Sequence, residues 1–151
     1  MVLLACSPQA PAQNAPVENV AQDRLPQTGL REVPLTITSK NKVHHFTVEV
    51  AASPEQQERG LMFRRSLAAD HGMIFPYDPP QEVAFWMKNT LIPLDIIFIR
   101  SDGTIVRITK AEAMDLTPLP SGEPITGVLE IRSGRAAELG ITEGDIASWA
   151  K

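Results

Sequence analysis

The sequence has few of the residues that several common kinds of function require. Cys6 is its only cysteine, so an internal disulfide and a cysteine-based metal site are both excluded. Basic residues are not in excess, because 14 Lys and Arg stand against 18 Asp and Glu, for a net charge of -4 at pH 7. Nucleic-acid-binding proteins usually present a basic surface. We therefore expect no nucleic-acid partner.

Aromatic residues and long apolar runs are also scarce. Only 5% of the residues are aromatic, although 43% are hydrophobic. No run approaches the roughly 18 apolar residues that suggest a membrane-spanning helix. The sequence also contains no G-x-S-x-G elbow, H-E-x-x-H helix, Walker loop or G-x-G-x-x-G loop. The composition predicts a globular domain with no recognisable catalytic residue and no cofactor.

The N-terminal residues have two distinctive features. The letters LLAC, which end at Cys6, resemble the end of a bacterial lipoprotein signal peptide, in which the Cys becomes the lipidated first residue. The basic part and most of the apolar part of such a signal are missing. Residues 7–31 are rich in Pro, Gln and Ala and lack aromatic residues, as is typical of a disordered tether. Residues 1–31 are thus predicted to be a truncated signal end plus a tether, and the protein to be exported, either periplasmic or lipid-anchored at the cell envelope.

Short strand patterns fill residues 32–151. Ser53, Pro54 and Gln56 form a capping box that starts a helix, and Gly60 ends it; residues 133–140 form a second short helix. About eight strands are predicted, without regular alternation of strand and helix. This pattern indicates a mainly β, β-rich α+β domain. We expect a small antiparallel β-sandwich or open barrel with two short helices, and a monomer. The predicted strands cover residues 33–38, 43–51, 72–77, 82–88, 94–100, 104–110, 125–131 and 145–150.

Polar residues interrupt the most apolar segment, FWMKNTLIPLDIIFI. In a structural interpretation, Asn89 and Thr90 form a turn, and Asp95 accepts hydrogen bonds from turn amides or pairs with a basic side chain. In a functional interpretation, these side chains converge with Trp86 and an arginine on a small polar ligand, such as a sugar or a carboxylate. Arg65 is an alternative to the two arginines of this predicted ligand-binding set. The set comprises Arg59, Arg64, Trp86, Lys88, Asn89, Thr90 and Asp95.

Weaker arguments support other functions. Asp95 with Glu82 or Glu130 would form a carboxylate pair, so an envelope hydrolase that acts on glycans is the second hypothesis. A purely structural or interaction domain is the third. His71 lies beside Asp70 but has no paired serine, and we interpret it as a loop residue.

Metal binding is not predicted. Neighbouring side chains on a strand point to opposite faces, so His44 and His45 cannot share one ion. Thioethers bind Cu(I), but most of the methionines lie among apolar neighbours, where filling gaps in the core is their usual role. The methionines in question are Met62, Met73, Met87 and Met114.

Several blocks of the sequence resemble the DUF192 family, a domain of unknown function in bacteria and archaea. The blocks are RGLMFR (59–64), GMIF (72–75), FWMKNTLIPLDI (85–96), VLEI followed by SG (128–134) and GITEGD (140–145). The resemblance covers residues 43–149 and implies a small, mostly β domain. Members are often exported, which agrees with the LLAC motif. The resemblance implies no activity and no catalytic residues. The expected partner is a small polar ligand or an envelope protein.

Overall fold

The chain is built mainly from β-strands, in a computed structural model that describes residues 24–151. This confirms the predicted β-rich α+β class with two short helices. The elements are, in chain order, β1 (Glu32–Ser39), β2 (Lys42–Val50), α1 (Pro54–Arg59), β3 (His71–Gln81), β4 (Ala84–Phe85), β5 (Leu94–Ile99), β6 (Ile105–Ala111), β7 (Leu119–Pro120), β8 (Ile125–Arg132), α2 (Arg135–Leu139) and β9 (Ile146–Trp149).

Seven strands form one sheet in the order β6-β5-β8-β3-β2-β1-β9, and β4 pairs with β7 beside it. The sheet is antiparallel except for β2 and β3, which run parallel. A parallel pair needs a crossover connection, and α1 lies in that connection. A bridge between Thr104 and Ile146 links the two edges of the sheet at one end. The sheet is therefore curled without being a closed barrel, as the open-barrel prediction anticipated.

The sheet buries apolar side chains on both faces. One face forms the α2-side core, in which Leu35 and Ile97 pack with Ala136 of α2. The other face forms the α1-side core, in which Phe75 packs with Leu61 from the segment after α1. Every residue of β5 is buried. This two-sided burial was predicted from its continuous apolar run and is typical of a central strand.

The first helix starts where its capping residues predict. The Ser53 hydroxyl accepts a hydrogen bond from the Gln56 N–H (3.2 Å), and the Gln56 side chain accepts one from the Ser53 N–H (3.1 Å). Gly60 ends the helix with a φ of 45°, a value that glycine tolerates well. The reciprocal bonds satisfy two amides that the helix itself leaves without partners.

Two strands differ substantially in length from the prediction, and β7 was not predicted at all. β3 continues through Pro76 to Gln81, because its register against β8 breaks between those two residues. In that irregular stretch the prolines need not donate to a ladder. The strand predicted over residues 82–88 shrinks to Ala84–Phe85, and the Met87 N–H instead donates to the Asp115 carbonyl in a loop (2.8 Å).

The residues that precede β1 also pack on the domain. The Gln27 side chain donates hydrogen bonds to the carbonyls of Gln56 (2.9 Å) and Gly60 (2.8 Å). Contacts with the domain therefore begin before Glu32, the residue at which the sequence predicts that the domain starts. Cys6 and most of the predicted tether lie outside the described residues. Within residues 24–151, no helix has the length and apolar character needed to cross a bilayer.

Candidate functional site

A cleft of about 190 Å³ opens between α1, β3, β4 and β8. We call it the Glu130 cleft, after the residue at its base. Its walls carry four aromatic side chains of a chain that has only five Phe, two Trp and one Tyr. Such a concentration of aromatic surface around a few polar groups is typical of small-molecule sites. The four are Phe75, Tyr77, Phe85 and Trp86.

Glu130 is an ionisable residue in the middle of the sheet. Its neighbours across the strands are Met73 on β3 and Ile96 on β5, and it is 5% exposed. Among residues 24–151, no group hydrogen-bonds or ion-pairs with its carboxyl. Burial raises the pKa of Glu130 from its ordinary 4.5 to about 8. A buried carboxyl without a partner is energetically costly, and such groups concentrate at functional sites.

Tyr77 adds a second polar group to the cleft. Burial, and then the nearby charge of Glu130, raise the pKa of Tyr77 to about 12. The phenol therefore keeps its proton at neutral pH, and its hydroxyl can both donate and accept a hydrogen bond. Together, Tyr77 and Glu130 place two hydrogen-bonding groups against aromatic walls.

Trp86 forms the outer wall, next to a tight turn. Its side chain is 49% exposed, and the Lys88 ammonium lies 5.2 Å from the ring centroid, within the range of a cation–π contact. Lys88 and Asn89 are the central residues of the turn, which the Thr90 N–H closes by donating to the Met87 carbonyl (3.1 Å). Asn89 has a φ of 54°, a left-handed conformation that asparagine adopts more readily than most residues. A turn is thus present, but it is centred on Lys88 and Asn89, one position before the predicted Asn89 and Thr90.

A second hollow of about 350 Å³, the outer depression, lies next to the Glu130 cleft. Arg59 borders both spaces, whereas Lys88 and Asn89 line only the outer depression. The Arg59 guanidinium donates to the Leu25 carbonyl (3.1 Å from Nε) and lies 5.8 Å from the Phe63 ring centroid. Of the predicted ligand-binding residues, Arg59, Trp86 and Thr90 thus line the Glu130 cleft.

Arg64 belongs to neither space. Its guanidinium binds Glu49 through two hydrogen bonds of 2.6 Å and 2.9 Å and also donates to the Gln27 carbonyl (3.0 Å). Both side chains of the ion pair are largely shielded from water. Arg64 therefore joins β2 to the segment before β1, and we leave it out of the candidate site.

Asp95 lies on the opposite face of the sheet from Glu130, with 1% of its surface exposed. Its two oxygens accept hydrogen bonds from the N–H groups of Gly134 (3.0 Å) and Ala136 (2.9 Å). The expected convergence of Asp95 with Lys88 and Asn89 therefore does not occur. The Asp95–Glu130 pair of the hydrolase hypothesis does not form either, because on the paired strands β5 and β8 Asp95 lies opposite Ile131 and not opposite Glu130. Glu82, the alternative partner, is exposed in the loop before β4, whereas Asp95 is buried.

The remaining candidates have structural surroundings. Met73 and Met87 are buried in the α1-side core, as expected for gap-filling side chains. His71 bonds the Asp70 carboxyl at the surface (2.8 Å), and this hydrogen bond lowers the pKa of Asp70. His45 is exposed on its strand. In the described part of the chain, no three His, Cys, Asp or Glu side chains cluster closely enough to hold a metal ion.

The family profile of DUF192, described as "Uncharacterized ACR, COG1430", matches residues 35–149. The chain belongs to the DUF192 family. No curated protein matches it.

Solved structures that are similar to this DUF192 chain include two with TM-scores of 0.79. One is a protein of unknown function from Novosphingobium aromaticivorans DSM 12444, with a TM-score of 0.79 and 46% identity; the match covers 83% of this chain and 90% of that one. The other, from Sinorhizobium meliloti 1021, is described as a candidate transcription regulator. Its TM-score is 0.79 with 38% identity, and the match covers 82% of this chain and 97% of that one.

The DUF192 blocks explain how the cleft is built. RGLMFR supplies Arg59 and Leu61, FWMKNT supplies Trp86 and the turn beside it, and VLEI supplies Glu130. From the sequence, Glu130 was predicted only as one member of a carboxylate pair. A stronger signal was available, because Glu130 is the one ionisable residue in ITGVLEI, a strand otherwise suited to burial on both faces.

Proposed function

We propose that this DUF192 domain is a binding module whose small polar ligand occupies the Glu130 cleft. The observation that carries the proposal is the carboxyl of Glu130, a residue that is only 5% exposed, lines the cleft and has no hydrogen-bond or ion-pair partner among residues 24–151. A ligand that donates a hydrogen bond to this carboxyl offsets part of its burial cost. The exposed Trp86 offers such a ligand a flat apolar surface at the mouth.

The character of the cleft favours binding over catalysis. Its described lining contains no Ser, Cys or His that would serve as nucleophile or as the usual general base. The Sinorhizobium meliloti relative is described as a candidate transcription regulator. For this chain, the net charge of -4 argues against a nucleic-acid surface.

The two tryptophans allow a direct test by NMR of the indole N–H groups. Trp86 lines the Glu130 cleft, whereas Trp149 lies on β9 next to Gly127 and serves as an internal control. We would titrate the full chain with a panel of aliphatic amines, monosaccharides, polyols and short carboxylic acids at millimolar concentrations. At least one class is expected to shift the Trp86 signal and leave that of Trp149 in place. If no class shifts Trp86, the proposal is wrong.

Variants connect the shift to the cleft. Trp86→Ala removes the exposed wall, and Glu130→Gln replaces the carboxyl by an amide of the same shape; each is expected to weaken binding about tenfold or more, as for one lost hot-spot contact. Glu32→Gln is the matched control, since Glu32 is exposed on β1. Equal weakening by Glu32→Gln would show that net charge, rather than the cleft, governs binding.

We also propose that the module works in the cell envelope, attached through Cys6. The support is the LLAC motif and the Pro-rich segment after it, together with the exported character implied by the family resemblance. Attachment would hold the cleft at a distance from the bilayer that the length of the tether sets.

Lipid labelling tests the attachment. With a basic segment and a longer apolar run placed before Leu3, expression in a bacterium with radioactive palmitate should label the protein and place it in the membrane fraction. Cys6→Ser should abolish both effects. If the extended protein with Cys6 intact is neither labelled nor sedimented with membranes, attachment through Cys6 is contradicted.

A further inference from the structure

We propose that the group recognised in the Glu130 cleft is a primary alkyl ammonium, which donates its N–H hydrogens to the Glu130 carboxylate while its carbon chain lies against the aromatic walls. This inference rests on the proposed function and narrows its ligand class. It is carried by two features of the same cleft, the acidic base and the aromatic walls.

The ionisable groups of the cleft are mainly acidic. Glu130 comes from β8, Glu58 from α1 and the neutral phenol of Tyr77 from β3. β4 contributes Phe85 and β5 places Ile96 beside Glu130, so neither adds a charge there. An ammonium that enters this site meets two carboxyl groups, and the shielded position of Glu130 makes an opposite charge there more effective than at the surface.

Among the residues that the structure describes, Arg59 is the one cation that borders the cleft. Its guanidinium lies at the rim shared with the outer depression, where it bonds the Leu25 carbonyl and faces the Phe63 ring. Lys88 lines the outer depression and does not line the Glu130 cleft. Both cations therefore flank the entrance, and neither neutralises Glu130.

The walls favour a cation over a neutral ligand. Aromatic faces attract ammonium groups, most strongly when water is excluded. The protein already contains such a contact, since the Lys88 ammonium lies 5.2 Å from the Trp86 ring centroid. Above about pH 8, where Glu130 is ionised, a carboxylate ligand would instead place two like charges together there. A hydroxyl ligand would donate to Glu130 without gaining from the aromatic faces.

Three probes that share a four-carbon chain separate these head groups. They are n-butylammonium, n-butanol and butyrate, each titrated into the full chain while the Trp86 and Trp149 indole signals are followed. At about pH 9, where Glu130 is ionised, we expect butylammonium to bind at least about tenfold more tightly than butanol, as an added charge-assisted hydrogen bond implies, and butyrate to give no shift of Trp86. Nα-acetyl-lysine methylamide presents the same head group on a peptide, and its affinity relative to butylammonium tells a lysine side chain from a free amine.

The pH dependence tests the ion pair itself. Burial holds the proton on Glu130 up to about pH 8, so an ammonium must displace that proton in order to bind. The affinity for butylammonium is therefore expected to rise about tenfold per pH unit below pH 8 and to level off above it. Glu130→Gln should weaken binding and flatten this dependence, whereas Glu32→Gln should leave the dependence intact.

The outcomes distinguish this inference from the broader proposal. If butanol or butyrate binds as tightly as butylammonium, or the affinity for butylammonium does not change with pH, the ammonium assignment is wrong and the binding module stands. If none of the three probes shifts Trp86, the ammonium assignment is also wrong. The binding module itself fails only if the sugars, polyols and acids of the wider panel leave Trp86 unmoved as well.

Discussion

Replacing Glu130 by Gln is expected to stabilise the folded domain by about 5 kcal/mol above pH 8. Burial raises the pKa of Glu130 to about 8 in the folded state, whereas an unfolded chain releases the proton near the ordinary 4.5. Between these two values the folded state holds one proton more than the unfolded state. Raising the pH therefore favours unfolding, by about 1.4 kcal/mol per pH unit at most. Glutamine carries no titrating proton and is free of this loss.

The difference between the two proteins isolates the contribution of Glu130. We would measure the free energy of unfolding by urea denaturation at pH 5, 7 and 9 for the wild type and for Glu130→Gln. The stability difference should be small at pH 5 and grow through pH 7 to its full size at pH 9. Glu32→Gln, at an exposed position, should follow the wild type within about 0.5 kcal/mol. If the free energies of unfolding of Glu130→Gln and wild type change in parallel with pH, Glu130 is not desolvated in the folded state.

The destabilising effect of Glu130 at neutral pH has a functional meaning. A carboxyl that lowers stability at neutral pH does not help the domain to fold, and natural proteins carry such groups chiefly where binding or catalysis uses them. A ligand that binds only the folded state would restore the lost stability in proportion to its occupancy. The position that weakens the sheet is thus the position where a ligand has most to contribute.

Local features of the fold could be predicted from the sequence because neighbouring residues determine them. The capping box of Ser53 and Gln56 lies within one turn, and the burial of β5 follows from its own composition. The order of strands in the sheet depends on pairs far apart in the chain. The parallel alignment of β2 with β3 needs the crossover through α1, and no residue of either strand specifies it alone.

The candidate site was predicted only in part, for a similar reason. Trp86 and Arg59 were identified from their residue types and line the cleft. Asp95 was grouped with Lys88 because the two are close in the sequence. Alternation along β5, however, directs Asp95 to the face that carries α2. Glu130 joins the cleft through pairing of β8 with β3, a contact between distant parts of the chain.

Asp95 provides the test of the structural half of the FWMKNTLIPLDI block. Asp95→Ala is expected to lower the free energy of unfolding by about 3 kcal/mol, because two N–H groups at the start of α2 lose their acceptor. Gly134 cannot take over this role, since it has no side chain and caps no amide. Asp95→Asn keeps one acceptor oxygen but turns an amide donor towards the other N–H, so we expect a loss of about 1–2 kcal/mol.

Urea denaturation measures both losses, and Asp102→Ala is the matched control. Asp102 also accepts a backbone N–H, that of Thr104 (2.9 Å), but at the exposed turn before β6, where water replaces the lost bond. Its removal should therefore change the free energy of unfolding only slightly. A loss in Asp95→Ala no larger than this would contradict the anchoring role. Because Asp95 lies across the sheet from Glu130, folded Asp95→Asn should keep the Trp86 response to butylammonium, which separates the residue that holds α2 from the residues that form the cleft.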